Sequence, residues 1–193
     1  MTTPELAKAI VPELKLDLKI FTPFGNLFRK TTVLIACITA QGTILFGEKN
    51  GFYPEGIVRL IGGGVEKSDN NPMMAAKNEL LEETGYSAEE GELLLRGLAT
   101  IKAVDHDGTA YAHTCYIYSI TVSNEVELQA ADDVNGITEL NRAGVESLIE
   151  NYNSIDPELW GNEGTLHYRW FDFGQVYGPI HQFTLDLLGD ECL

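Results

Sequence analysis

The run Thr31–Thr39 is almost wholly apolar and β-branched, the pattern of a strand buried on both faces. Upstream, residues 14–24 alternate well enough for an edge strand or an arm. Gln41-Gly42 supplies a turn that returns residues 43–46 as a hairpin partner, and residues 57–61 form a further strand that runs straight into Gly62-Gly63-Gly64. A helix follows with clear end signals: Asn71 as cap, Pro72 in the first helical position and Gly85 just past the last turn. Residues 92–103 and Ala110–Val122 read as strands joined by the polar turn Asp105-His106-Asp107-Gly108. Residues 132–136 are a loop, 137–140 a short strand, and 142–152 a helix with Val145, Leu148 and Ile149 on its apolar face.

The two ends are less sharply patterned. Thr2-Thr3-Pro4-Glu5 has the form of a capping box, and residues 7–11 complete a short helix that stops before Pro12. Residues 153–164 are linker-like. Leu166, Tyr168 and Trp170 alternate with His167 and Arg169 as in a two-faced strand, and Ile180, Phe183, Leu187 and Leu188 make a closing amphipathic helix after Pro179.

With 193 residues, 44% hydrophobic and 22% charged, the chain can bury one sizeable core, which excludes disorder and coiled coil. Its apolar runs are far shorter than the roughly 20 residues that span a bilayer, and Met1-Thr2-Thr3-Pro4-Glu5 does not open a signal peptide. A soluble, cytoplasmic protein with no membrane partner is expected. Cys37, Cys115 and Cys192 are odd in number and widely spaced, so idle buried thiols are expected rather than a disulfide framework or a zinc site. The net charge of −16 is unevenly placed: residues 1–102 hold 13 acids and 11 bases, residues 103–193 hold 16 acids and only Arg142 and Arg169. Such a chain repels a nucleic-acid backbone, and an anionic substrate should approach through the N-terminal half, where Lys49 and Arg59 lie.

On the helix after the glycines, Glu79, Glu82 and Glu83 stand at i, i+3 and i+4, within an arc of about 100°. Met73, Ala76 and Leu80 fall on an adjacent arc that can dock on a sheet. Three carboxylates side by side repel one another and call for a counter-cation; a hard divalent ion takes carboxylate oxygens and keeps places for water and phosphate. Glutamate-rich helix faces are commonly only solvated. Here the glycine run changes the weighing, because it lets backbone approach a metal or phosphate closely.

The segment Gly62-Gly63-Gly64-Val65-Glu66, then Ala75-Ala76, then Glu79-Leu80-Leu81-Glu82-Glu83-Thr84-Gly85-Tyr86 resembles a Nudix box. That family's pattern runs Gly, five residues, Glu, seven residues, Arg-Glu-apolar, one residue, Glu-Glu, one residue, Gly-apolar. The resemblance implies an α/β/α sandwich around a mixed β-sheet, Mg2+ or Mn2+ on the box helix, and hydrolysis of a diphosphate bond in a small nucleoside-diphosphate-linked substrate. It implies a Nudix-like domain over residues 29–152 (box 62–86), with extensions at 1–28 and 153–193, the latter packed on the same domain. By carry-over, Glu79, Glu82 and Glu83 are the metal ligands, with Glu79 a third ligand or the base that orients water, Glu82 also catalytic, and a carbonyl of Gly62 or Gly63 completing the sphere. Arg59, Gly63 and Gly64 are the candidate substrate contacts.

Two departures stand out. Counted forward from Gly63, the first glutamate of the pattern falls on Asp69; counted back from Gly85, it falls on Asn70, so the loop 67–71 carries one extra residue. Asn78 occupies the Arg position, where a guanidinium would brace loop and glutamate, and Lys77 points elsewhere on the helical wheel. Asn78 favours a rival reading, a Nudix-like nucleotide-binding or regulatory module without turnover; the retained acids favour the enzyme. Asp132 and Asp133 either supply a distal acid or cap a turn. His113 is weighed between ligand contact and a hydrogen-bonded core-edge role, the latter favoured. Tyr168, Trp170 and Phe171 stack a nucleobase, seal a homodimer or pack the C-terminal helix, and packing is the simplest account.

Overall fold

The computed structural model describes residues 11–49, 51–69, 71–123, 130 and 134–192. Its elements follow in the order β1 (Glu13–Lys19), α1 (Gly25–Phe28), β2 (Thr31–Thr39), β3 (Ile44–Glu48), β4 (Arg59–Leu60), α2 (Pro72–Thr84), β5 (Leu94–Val104), β6 (Ala110–Val122), β7 (Gly136–Leu140), α3 (Arg142–Asn153), β8 (Trp160–Glu163), β9 (Leu166–Arg169) and α4 (Trp170–Leu188). Seven strands form one mixed sheet in the order β1-β5-β6-β2-β3-β4, with β7 on the other edge of β3. The pairs β1–β5 and β2–β6 are parallel and the remaining pairs antiparallel.

The buried run of β2 explains the layers. Because side chains alternate along a strand, Val33, Ile35 and Cys37 face Ala75, Ala76 and Leu80 of α2, whereas Leu34, Ala36 and Ile38 face a second core that includes Leu148 and Tyr152 of α3 and Phe173 of α4. The result is a helix layer on each face of a mixed sheet, the α/β/α sandwich that the box resemblance implies. The first ten residues, including the expected capping box, and Asp132 and Asp133 lie outside the described residues.

Several segments differ from their sequence reading. The strand expected over 57–61 shortens to Arg59–Leu60, because Ile61 leaves β3 and pairs instead with β2, where Ile35 N–H donates to Ile61 O at 2.8 Å. The linker-like stretch ends in a hairpin, β8 against β9, turned by Gly164 at φ 61°. Trp170 opens a helix rather than ending a strand, and that helix runs through Pro179. Pro179 offers no amide hydrogen to the Gln175 carbonyl, yet buried Phe173, Val176 and Tyr177 before it and Ile180, Thr184 and Leu185 after it hold both halves in the core. Cys37, Cys115 and Cys192 are buried and free, and burial pushes the Cys37 thiol up to about 12. Among the described residues no helix is long and apolar enough to cross a membrane.

Helices α3 and α4 meet backbone to side at Gly174 and Gly178, one turn apart. A Cβ on Gly174 would come within 2.4 Å of the Tyr152 carbonyl, and one on Gly178 within 3.0 Å of the Asn153 side chain. Gly174→Ala should therefore destabilise the protein by about 1–3 kcal/mol, the cost of overpacking, despite alanine's better helix propensity. Urea denaturation of the two proteins measures it, and an unchanged or raised midpoint would contradict this contact.

Candidate active site

Helix α2 starts and stops as its sequence predicts. Asn71 lies in extended conformation and its side chain accepts from Met74 N–H at 3.0 Å, while Gly85 is left-handed at φ 73° and donates to Leu81 O at 2.9 Å. The stripe Ala76, Leu80, Glu83 is buried against the sheet, Glu79 is half-buried beside it, and Glu82 is exposed. Two of the three acids thus lie against the sheet and one faces water.

Opposite them runs the glycine segment, held to β2 as an irregular extension of the sheet: Val33 N–H donates to Gly63 O at 2.9 Å and Val65 N–H to Thr31 O at 3.1 Å. Each glycine is required by a different neighbour. Gly62 has φ 137°, and a Cβ there would strike the Val33 carbonyl; one on Gly63 would occupy the place of the Glu79 carboxylate; one on Gly64 would meet the guanidinium of Arg29. The acids of α2 and the glycine backbone are therefore in direct apposition.

Glu83, only 3% exposed, accepts from Gly62 N–H at 2.7 Å. The Gly62 carbonyl accepts in turn from Arg59. Arg59, a candidate substrate contact, is 8% exposed, with its guanidinium 5.9 Å from the Tyr177 ring centroid. The Gly62 carbonyl, with that of Gly63 a candidate to complete a metal sphere, accepts from that guanidinium.

Glu79 titrates at about 7. Burial disfavours its anion most, Glu83 and then Glu82 repel it, and Arg59 and Arg29 offset part of the effect. A carboxyl so placed is chemically suited to accept a proton at neutral pH. Among the described residues no three His, Cys, Asp or Glu side chains come together as a group that could hold a metal ion. The donor set nonetheless fits magnesium, which binds through one or two carboxylates and keeps several waters, and the crowding that raises Glu79 is what a divalent cation would relieve.

Asp69 ends a short 3-10 turn, Lys67–Asp69, where its side chain accepts from Glu66 N–H at 2.5 Å and from the Asn78 amide at 2.8 Å. Asn78 thus ties helix to loop with a neutral donor. Lys77 points away, donating to Glu89 O at 3.3 Å. His113 is buried and hydrogen-bonded on both ring nitrogens, and Tyr168 and Trp170 pack in the core, so the bland readings of all three stand. The residue that sequence reasoning missed is Arg29; its only signal was a basic pair, Arg29-Lys30, just before the central strand.

A mixed-sheet sandwich in which a glycine strand abuts an acid-bearing helix defines the class of the protein. The NUDIX domain model matches residues 28–159, and the chain belongs to that family. Solved structures similar to it include the NUDIX domain of Shewanella oneidensis NrtR complexed with ADP ribose, 17% identical over 62% of this chain and 77% of that chain, with TM-score 0.49. Two others are the E. coli dihydroneopterin triphosphate pyrophosphohydrolase (13%, 63% and 85%, TM-score 0.48) and a bifunctional NMN adenylyltransferase/ADP ribose pyrophosphatase from Francisella tularensis (21%, 66% and 37%, TM-score 0.47). No curated protein matches the chain.

The raised pKa of Glu79 has a thermodynamic sign. In the metal-free protein the folded state holds this proton more tightly than the unfolded chain, whose ordinary value is 4.5, so stability falls as pH rises from about 4.5 to about 7. Allowing for solvent screening of a partly exposed group, the loss is on the order of 1–2 kcal/mol. Glu79→Gln should remove that part of the slope. Urea melts in chelator near pH 5 and near pH 8 should show the variant gaining on the parent at the higher pH; an equal difference at both would contradict the placement of Glu79.

Proposed function

We propose that the chain is a divalent-metal-dependent hydrolase that cleaves a diphosphate bond in a small nucleoside-diphosphate-linked substrate. The observation that carries this reading is the apposition of Glu79 and Glu83 to the glycine backbone, with exposed Glu82 beside them and Glu79 forced up to about 7 by burial and by its fellow acids. A pure binding module has no use for acids that destabilise one another.

Glu82 and Glu83 would hold Mg2+ or Mn2+, with Glu79 either a third ligand or the base that orients water. When bound, the ion lowers the pKa of a water and neutralises phosphate oxygens for in-line attack. In the base role, half-buried Glu79, set against Gly63, would orient the attacking water and receive its proton. Glu83 is fixed in direction by Gly62 N–H, so it needs no reorganisation as charge develops. Exposed Glu82 lies on the solvent side, where a substrate would enter. The Asn78–Asp69 hydrogen bond supports the enzyme reading over the binding module, because the brace between box helix and loop persists without the guanidinium.

A magnesium-dependent hydrolysis screen over nucleoside-diphosphate compounds tests this. The parent should turn over at least one compound, and Glu82→Gln should lower kcat by about 100-fold or more. Turnover that survives Glu82→Gln would reject the site assignment. An inert parent that gains activity as Asn78→Arg would favour the binding module.

A further inference from the structure

Arg29 lies outside the box, where α1 hands over to β2, and its side chain reaches the site. Its guanidinium rests against Gly64, where an added Cβ would fall 2.5 Å from Nη1. Its backbone is anchored: the Arg29 carbonyl accepts from Nδ1 of buried His113 at 2.7 Å, and Nε2 of the same ring pairs with Thr32 Oγ1 at 2.9 Å.

The other arginines of the chain are committed to protein oxygens: Arg59 to Gly62, Arg96 to Ser119 and Glu191, Arg142 to Gly189 and Cys192, and Arg169 to Asp172. Among the described residues the Arg29 guanidinium has no hydrogen-bond or ion-pair partner of this kind, and the residue is exposed. A diphosphate entering beside three carboxylates meets strong repulsion unless a cation stands on the same glycine backbone. Arg29 stands there, and the planar fork of a guanidinium matches two non-bridging phosphate oxygens.

Resting on the hydrolase reading of this same site, we infer that Arg29 grips the diphosphate of the substrate, the task that the sequence assigned to Arg59. The contact selects for the phosphate group and is indifferent to the moiety beyond it.

Calorimetric titration of methylenediphosphonate into the full chain with Mg2+ present isolates the phosphate contact from the nucleoside. Arg29→Gln should bind about 10- to 100-fold more weakly than the parent, the range for a lost charge-assisted contact, with an unchanged melting temperature. Arg29→Lys, which keeps the charge and loses the fork, should fall between them, and carries the comparison if Arg29→Gln melts early. Equal affinity of parent and variants, or no binding by the parent, overturns the inference. A parent that hydrolyses a diphosphate compound no faster than Arg29→Gln, with equal KM, removes Arg29 and leaves the hydrolase standing. A parent that binds the diphosphonate through Arg29 yet hydrolyses nothing supports Arg29 and removes the hydrolase.

Discussion

Two opposite charges are buried on either side of a single residue, and the site is arranged around them. Glu83 takes the N–H of Gly62 and Arg59 takes its C=O, so a carboxylate and a guanidinium that would each be costly in the interior are joined through one stretch of backbone. The arrangement gives each ion a hydrogen-bonded partner on the same residue. It also fixes the acidic end of α2 against the sheet at a position set by main-chain geometry rather than by flexible side chains.

The glycine run is the complement of that node. Gly62 is small because of a β2 carbonyl, Gly63 because of a carboxylate and Gly64 because of a guanidinium, so three consecutive identical residues answer to three different chemistries. In turn β2 holds this backbone in register while its two faces carry α2 on one side and α3 with α4 on the other. The central strand thereby links the core to the acids: Val33 and Ile35 pack on α2 with their side chains and hold the glycine segment with their amides.

Much of this was legible in the sequence, for reasons that can be named. The bounds of β2, β6 and α2 follow from local signals, a β-branched run in the first two and a cap, a proline and a glycine in the third, which act within a few residues. The acids and glycines could be read as a box because their spacing is local. What failed were matters of tertiary neighbourhood. Nothing in the residues around Arg59 tells that Tyr177, more than a hundred positions on, lies beside its guanidinium, or that the carbonyl it takes is Gly62. Pro179 carries a strong local stop signal that burial on both sides overrides. Arg29 had no motif at all; only folding brings it onto Gly64.

Tyr177 belongs to α4, which lies beyond residue 159, where the family match ends. The helix is thus more than a trailing segment: it supplies an aromatic neighbour to the cation whose hydrogen bond holds the Gly62 carbonyl, one step from the Glu83 carboxylate. A chain trimmed to the family's span would open Arg59 to water, weaken its hold on Gly62, and so blur an acid nearly a hundred residues away in sequence. In this protein the packing around Arg59 and Gly62 draws on more of the chain than the family match spans.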